Sequence, residues 1–265
     1  MFRLSVALLA CILVFSFLGS LFYGIDPSSL DKNAILLPPS TIHWLGTDRL
    51  GRDLMARIME GGQVSLIIGF MSALLATLVG LLYGISAALL RGGFDKFFII
   101  VVDLFLTFPT LFLLLTLASY VNASMWILIL IISMTGWMGT ARLIRSESFA
   151  IASKPFIRIL HIGHVHPLKI MMKYYTPLLA PIVLVSFTFG VGGAILAESG
   201  LSFLGLGIVA PQMSLGSILS SGKEVIDIAW WVSFFPGLMI FIITFSLMNI
   251  SNTLQTRLNQ KEIRQ

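Results

Sequence analysis

Six apolar runs, each about long enough to cross a lipid bilayer, constrain this chain more than any other feature of its sequence. Windows of about 19 residues place them at Leu4 to Ile25, Val64 to Leu90, Phe97 to Tyr120, Met125 to Ala141, Tyr174 to Ala197 and Trp231 to Asn249. Charged residues make up only 11% of the chain, far below the roughly 25% of soluble domains. The sequence therefore predicts an all-α, polytopic membrane protein with six transmembrane helices.

The positions of Lys and Arg predict the orientation. Of the 17 such residues, twelve fall in segments on the same side as the N-terminus, and the segment 142–173 holds six of them. Basic loops stay in the cytoplasm, so we expect both termini there and a multi-pass location in the cell (inner) membrane. The net charge of +5 is spread between apolar runs rather than gathered in a patch. Membrane lipid, and no nucleic acid, is therefore the expected environment.

This reading divides the chain into four parts. They are a first transmembrane helix (1–25), an external loop (26–63), a transmembrane core (64–253) that includes the cytoplasmic segment 142–173, and a cytoplasmic tail (254–265). The single cysteine, Cys11, excludes an internal disulfide. Leu8 to Cys11 resemble a lipoprotein processing box, but the apolar run continues to Ile25, so we interpret Cys11 as an ordinary residue of the helix.

The external loop contains the run HWLGTDRLGRD, which concentrates charge and glycine. The residues that we expect to shape this run are Gly46, Thr47, Asp48, Gly51, Arg52 and Asp53. The glycines permit tight turns, Thr47 or Asp48 can cap a following helix, and the charged side chains can pair locally. The run lacks the pattern of a phosphate-binding loop. It predicts a rigid turn ahead of a helix, and the second outer loop, LAESGLSFLGLGIVAPQMSLGSIL, predicts a re-entrant or interfacial piece beside it.

Few residues suggest chemistry within the membrane. Asp103 lies in the third run, and Glu198 and Ser199 lie at the outer end of the fifth, which makes these three candidates for a translocation path. The alternative for Asp103 is a satisfied carboxylate near a kink at Pro109. No Ser/His pair, carboxylate pair or HExxH motif occurs at helical spacing within a run. We therefore predict no enzyme activity, no catalytic residue and no metal site.

The cytoplasmic segment is too polar to span a membrane. Its apolar positions, Phe156, Ile157, Leu160 and Ile162, predict a short amphipathic helix that can dock on a partner. The spacing HxxHxH at 161–166 offers a possible metal cluster. Because no carboxylate or thiolate lies near it in the sequence, we favour histidines at the surface or in contact with a partner.

Several motifs resemble one family over nearly the whole chain, in the family's order. They are HWLGTDRLGRDLMARIMEGGQVSL, RGGFDKFFIIVVDLFLTFPTLFLL, LAESGLSFLGLGIVAPQMSLGSIL and FFPGLMIFIITFSLMNI. They look like the second permease subunit of the dipeptide, oligopeptide and nickel ABC importers. The resemblance implies a type I permease bundle, a homologous second permease, two cytoplasmic ATPases that use ATP, and an extracytoplasmic solute-binding protein. It implies no cofactor bound by this chain, and it assigns Gly46 to Asp53 to the side that receives the binding protein.

The cytoplasmic segment departs from the family's pattern. The resemblance implies a motif of the form E-A-A-x-x-x-G, with a proline 13 residues after the glycine. Counting back from Pro177 places this ATPase-coupling motif on Arg158, Ile159, Leu160 and His164, and Gly163 fits only with a shift of one residue. Bulky apolar residues thus replace the alanines. Either a matched ATPase compensates, or coupling is weakened.

Three classes of function stay open at the level of the sequence. An import permease is favoured, a stand-alone secondary carrier is disfavoured because paired membrane carboxylates are missing, and an assembly protein would not explain the outer loops. For the cargo we favour di- and oligopeptides over nickel or a nickel chelate.

Overall fold

The structure is a computed structural model that describes residues 1–121 and 123–263. Its helices, in chain order, are α1 (Phe2–Phe17), α2 (Gly19–Tyr23), α3 (Leu54–Leu90), α4 (Gly92–Thr107), α5 (Thr110–Ser119), α6 (Met125–Ala152), α7 (Pro155–Ile162), α8 (Pro167–Ile170), α9 (Thr176–Phe203), α10 (Leu215–Lys223) and α11 (Trp231–Ile263), with a π-helical turn, Met171–Tyr175, joining α8 to α9. Within those two ranges, the β structure amounts to one isolated bridge, between Thr47 and Asp53. The predicted all-α class is confirmed.

Four helical segments are long and apolar enough to cross a membrane, and a fifth span results if the bent pair α4 and α5 is counted as one. The first of the six predicted spans differs from expectation. It is divided into α1, of 16 residues, and α2, of five, with a break at Leu18. The adjacent Gly19 lies close to α3, where a Cβ would lie 3.2 Å from Met59 Cε. Glycine weakens the helix there and permits this close approach.

Two helices extend well beyond the apolar runs that predicted them. α3 begins at Leu54, ten residues before the predicted start, so the last part of the predicted external loop 26–63 is helical. Asp53 caps it by accepting a hydrogen bond from Ala56 N at 2.9 Å. At the other side, α6 continues from the predicted boundary at Ala141 to Ala152. Hydropathy detects only the apolar part of such helices, whereas the caps decide where they begin and end.

The predicted kink in the third run is present. α4 ends at Thr107, α5 begins at Thr110, and the two axes differ by 87°. Pro109 supplies no N–H, and Phe108 before it adopts an extended backbone with ψ 136°. The interruption therefore follows from the Phe-Pro dipeptide.

Helix α3 lies at the centre of the bundle, between α6 and α9. Glycines on α3 allow this packing. A Cβ at Gly69 would lie 2.4 Å from Ile195 Cγ1, and one at Gly84 would lie 2.7 Å from Ile144 Cγ2. The close approach of α6 and α9 to α3 therefore depends on these glycines. On α9, a Cβ at Gly192 would be 3.6 Å from Leu247 Cβ, but one at Gly193 would have no atom within 4 Å.

The loops gather at two ends of the bundle. Residues 26–53 and 204–230 meet at one end, where Arg49 pairs with Glu224 and Trp231 Nε1 donates to Thr47 O at 3.2 Å. We call this the outer end, after the predicted orientation. The α3–α4 junction and α7 lie at the opposite end, which we call the inner end.

Candidate translocation site

A cavity of about 410 Å³ opens between α3, α5, α6 and α9. Its walls carry hydroxyl and glycine residues together with apolar side chains. Those hydroxyl residues and glycines are Ser72, Thr77, Thr110, Thr135, Thr140 and Ser186, and Gly136, Gly139, Gly190 and Gly193. A Cβ at Gly139 or Gly193 would have no atom within 4 Å, so the backbone itself borders the open space there. The arrangement offers polar groups without charge in an otherwise apolar wall.

The lining includes no Asp, Glu, Lys, Arg or His. Some hydroxyls are already engaged: Thr135 Oγ1 donates to Ile131 O at 3.3 Å and to Ile132 O at 3.1 Å, and Ser72 Oγ donates to Ile129 O at 3.4 Å. Their oxygens keep lone pairs that can still accept hydrogen bonds. Such a surface suits a solute with backbone-like amide groups and varied side chains better than a bare cation, which prefers charged or imidazole ligands.

This cavity was not predicted from the sequence. Its signal is a stripe of small residues at helical spacing, as in Ser72, Ala73, Ala76 and Thr77 on α3, and Thr135, Gly136, Gly139 and Thr140 on α6. Residues at i, i+1, i+4 and i+5 share a helix face. Such stripes are also typical of helix packing, and the sequence does not show which of them remain unfilled.

None of the three residues proposed for the translocation path lines this cavity. Asp103, half exposed on α4, forms an ion pair with Arg142 of α6. This matches the alternative interpretation of a satisfied carboxylate near the kink. An exposed pair of this kind holds two helices together only weakly in water.

Glu198 is fully buried and joins three helices. Its carboxylate accepts hydrogen bonds from Ser65 on α3 at 3.2 Å, from Ser202 on α9 at 2.7 Å and from Ser214, the N-cap of α10, at 2.6 Å. Ser199 is also buried, and a Cβ on Gly216 of α10 would lie 2.6 Å from its Cα. Within this chain, both residues fix α10 against the bundle.

The outer run folds into a turn, as predicted, with both glycines in the left-handed region. Gly46 has φ 82° and Gly51 has φ 74°. A Cβ at Gly51 would lie 1.8 Å from Asp31 O, which no side chain could tolerate. Thr47 and Asp53 form the β-bridge that closes the turn. The expectation that Thr47 or Asp48 caps the following helix is wrong, since that role falls to Asp53.

Asp48 is the electrostatic centre of the turn. It is 1% exposed, and its Oδ1 accepts from the backbone N–H groups of Leu50 and Arg52 at 2.8 and 3.0 Å. Its Oδ2 lies 2.7 Å from Arg52 Nη2 and 3.4 Å from Arg57 Nε. Arg57 is itself 5% exposed and was not singled out from the sequence. Asp48 thus balances a buried cation at the start of α3.

Asp53 connects the turn to the end of the first helical region. Besides capping α3, its Oδ2 lies 2.9 Å from His43 Nδ1 and accepts from Tyr23 Oη at 3.3 Å. Thr47 Oγ1 accepts from Leu37 N at 2.8 Å and donates to Ala34 O. The loop is therefore a rigid, hydrogen-bonded surface at the outer end, which agrees with the predicted turn.

At the inner end, α7 forms the predicted short amphipathic helix, with fewer of its apolar residues buried than expected. Ile157 is fully buried and Leu160 is partly buried, whereas Ile159 and Ile162 are 67% and 77% exposed. Arg158 is exposed as well. Gly163 and His164 follow α7 at the surface, with His164 at φ 50°. The segment thus presents apolar and basic side chains away from the bundle.

The three histidines near α7 take no shared role in the described structure. His166 caps α8, its Nδ1 accepting from Leu168 N at 3.3 Å. The side chain of His161 lies outside the described residues. Among the described residues, no group of three His, Cys, Asp or Glu side chains is placed to hold a metal ion.

An all-helical membrane bundle with an uncharged cavity between its helices and a rigid loop at one end defines a transport subunit. A family profile described as "Binding-protein-dependent transport system inner membrane component" matches residues 80–264. The chain belongs to this family. It is a multi-pass inner-membrane permease of an ABC importer and not an enzyme, and its transport depends on a binding protein and an ATPase.

Curated relatives identify the branch of the family. The chain is 34% identical over 249 residues to the oligopeptide transport system permease protein OppC of Mycobacterium bovis, covering 91% of this chain and 84% of that one. It is 32% identical to the dipeptide permease DppC of Bacillus subtilis, covering 89% and 75%. It is 30% identical to the nickel permease NikC of Escherichia coli K12, covering 97% and 93%. These relatives confirm the resemblance to the second permease of such importers.

A solved structure supports the fold. A chain of the MetNI methionine ABC transporter in an inward-facing conformation aligns with a TM-score of 0.58 and 16% identity, covering 76% of this chain and 97% of that chain. At this identity, the likeness concerns the fold alone.

Proposed function

We propose that this chain, with a homologous second permease, forms the membrane path of an importer for di- and oligopeptides. The observation that carries the proposal is the uncharged cavity lined by hydroxyls and exposed backbone. Peptides of different sequence share their amide groups and differ in their side chains. A lining of hydroxyls, glycines and apolar groups can satisfy the shared part without selecting among side chains.

A second permease that packs against this chain would complete the wall of the path. Alternating access then requires a loaded binding protein at the outer end and two ATPases at the inner end, with ATP consumed by those partners and no cofactor on this chain. Twelve of 17 basic residues lie on the side of the termini, which supports a cytoplasmic inner end. The rigid turn Gly46 to Asp53 is the proposed receiving surface for the binding protein.

Import of nickel as a chelate is the second candidate. The nickel permease relative aligns over 97% of this chain and 93% of its own length, a higher coverage than for the dipeptide relative. A chelate would present an organic surface to the cavity, so the missing charged ligands do not oppose it. The two candidates share one mechanism and differ only in cargo.

We expect deletion of this chain to abolish ATP-dependent uptake of a labelled dipeptide and to leave nickel uptake unchanged. The measurement compares both labels, at low concentration, in cells with and without the chain. Depletion of ATP is the control. Loss of nickel uptake alone would replace the peptide proposal by the nickel one, and no change in either label would contradict both.

The second prediction tests the proposed coupling role of α7. Ile159 is 67% exposed, so Ile159→Asp should leave insertion and permease pairing intact. It should lower uptake by about tenfold, because a carboxylate would replace an apolar contact with the ATPase. Leu160→Asp is a poorer probe, since Leu160 is partly buried against apolar side chains at the inner end and its change would also destabilise the fold.

Ile159→Val is the matched control, because it keeps the apolar contact. Normal uptake by a correctly inserted Ile159→Asp protein would show that the ATPase docks elsewhere.

A further inference from the structure

A second cavity, of about 620 Å³, lies at the inner end beside α7. Arg91 and Arg158 line it together with Phe149, Ser153 and Ile162, and the lining residues that the structure describes include no Asp or Glu. We call it the two-arginine cavity. The ion pairs found at the inner end within the described residues are Asp95 with Arg145 and Asp103 with Arg142. Neither neutralises the arginines of this cavity.

Arg91 has a strained backbone conformation. Arg91 joins α3 to α4 with φ 51° and ψ −167°, a conformation that glycine adopts with far less strain than other residues. Gly92 and Gly93 follow directly, yet the strained position carries an arginine. Its Nε donates to Ala88 O at 3.2 Å, which orients the guanidinium near the cavity. For such a residue, strain of about 1–3 kcal/mol points to a role of the side chain.

Arg158 lies at the cavity because a buried residue of α7 fixes the orientation of that helix. Ile157, the residue before it, is fully buried among apolar side chains at the inner end, and this fixes the rotation of the helix about its axis. Phe156, Ile159 and Ile162 then stand at the surface with 41%, 67% and 77% exposure. The cationic cavity therefore has an exposed apolar surface beside it. Guanidinium groups bordered by apolar surface are typical of protein interfaces.

The position along the membrane normal favours a protein as the occupant over a lipid. α6 runs 11 residues beyond its predicted exit at Ala141, which adds about 16 Å before α7 begins. The side of the two-arginine cavity formed by the end of α6 and by α7 therefore lies beyond the apolar run of α6, where a partner protein can reach it.

We propose that the two-arginine cavity receives a carboxylate side chain of the ATPase subunit, while Phe156, Ile159 and Ile162 contact apolar residues around that carboxylate. This inference rests on the proposed function, since it names the chemistry of one partner's contact. Two guanidinium groups in one cavity repel each other until an anion binds between them, and arginine pairs with carboxylates through paired hydrogen bonds. The site also explains how α7 can dock on the ATPase although bulky apolar residues replace the alanines of the family's coupling motif.

The test uses the whole importer, purified through a tag on this chain, with the retained ATPase measured per permease. Arg158→Glu should lower ATPase retention by about tenfold or more, because it places two anions face to face. Arg158→Lys should lower it less. Arg91→Gly should lower retention several-fold without lowering the thermal midpoint of the permease pair, since glycine relieves the strain at φ 51°. Lys169→Glu, an equal charge change outside the cavity, is the control.

Suppressors of Arg158→Glu should map to Asp or Glu positions of the ATPase that change to Lys or Arg. Unchanged ATPase retention in both arginine variants overturns the inference. So does a loss seen only in nanodiscs with phosphatidylglycerol and not with phosphatidylcholine, because the anion would then be a lipid phosphate. If the unaltered chain retains no ATPase at all, the proposed function itself fails, which is a distinct result.

Discussion

Gly193→Trp is expected to lower substrate uptake by about tenfold or more, an effect of about 1.4 kcal/mol, while the amount of folded protein in the membrane stays the same. Gly193 borders the cavity between α3, α5, α6 and α9, and a Cβ there would meet no atom within 4 Å. An indole can therefore enter the cavity without disturbing the packing of α9. Replacing glycine inside a helix also favours the helix by a few tenths of a kcal/mol or more.

Gly139→Trp offers an independent version of this test, because Gly139 borders the same cavity from α6. Gly193→Ala is the matched control and should keep uptake within about twofold, since a methyl group takes little of a cavity of about 410 Å³. The uptake of a labelled dipeptide is measured together with the elution profile of the fluorescently tagged protein, which reports the amount of folded protein. Normal transport by both Trp variants would place the path outside this cavity.

Asp48→Ala is expected to destabilise the permease by about 3–5 kcal/mol, the largest effect on folding that we predict. Asp48 is 1% exposed and is the anion nearest the buried Arg57, at 3.4 Å. Without it, the buried Arg57 would lose its nearest countercharge, and the N–H groups of Leu50 and Arg52 would lose their acceptor. The turn ahead of α3 would then lose both its charge balance and its shape.

The measurement is the midpoint of thermal aggregation in detergent, compared with that of the unaltered protein. Asp26→Ala is the matched control, because Asp26 is a solvent-exposed carboxylate in the same outer region that accepts hydrogen bonds only from Ser28. It should leave the midpoint nearly unchanged. A similar midpoint for Asp48→Ala and Asp26→Ala would mean that the buried ion pair adds nothing to stability.

The two predictions separate the roles of the start and the middle of α3. Its outer start, at Leu54, is fixed by buried charge, whereas its middle forms one wall of an uncharged cavity. A change at the first site acts on folding, and transport falls only as a consequence. A change at the second acts on transport directly, which the paired measurements of uptake and folded protein distinguish.

The sequence by itself determined the class of fold, the apolar character of its long helices and some local features. The Phe-Pro dipeptide at 108–109 predicts the break between α4 and α5, and the amphipathic pattern at 156–162 predicts α7. These features depend on neighbouring residues along the chain, through backbone restriction and side-chain periodicity. The family motifs are of the same kind, since they are contiguous in sequence.

Only the tertiary structure decided which residues meet. Glu198 sits at the end of an apolar run, as a path residue would, yet serines from α3 and from the N-cap of α10 enclose it. Gly193 follows Gly192 and Gly190 on α9, a pattern that suggests a packing face, yet a Cβ at Gly193 would have no atom within 4 Å. Contacts between residues more than a hundred positions apart depend on how helices pack against one another. Packing is set by the shapes of all the surfaces involved, and no local pattern records it.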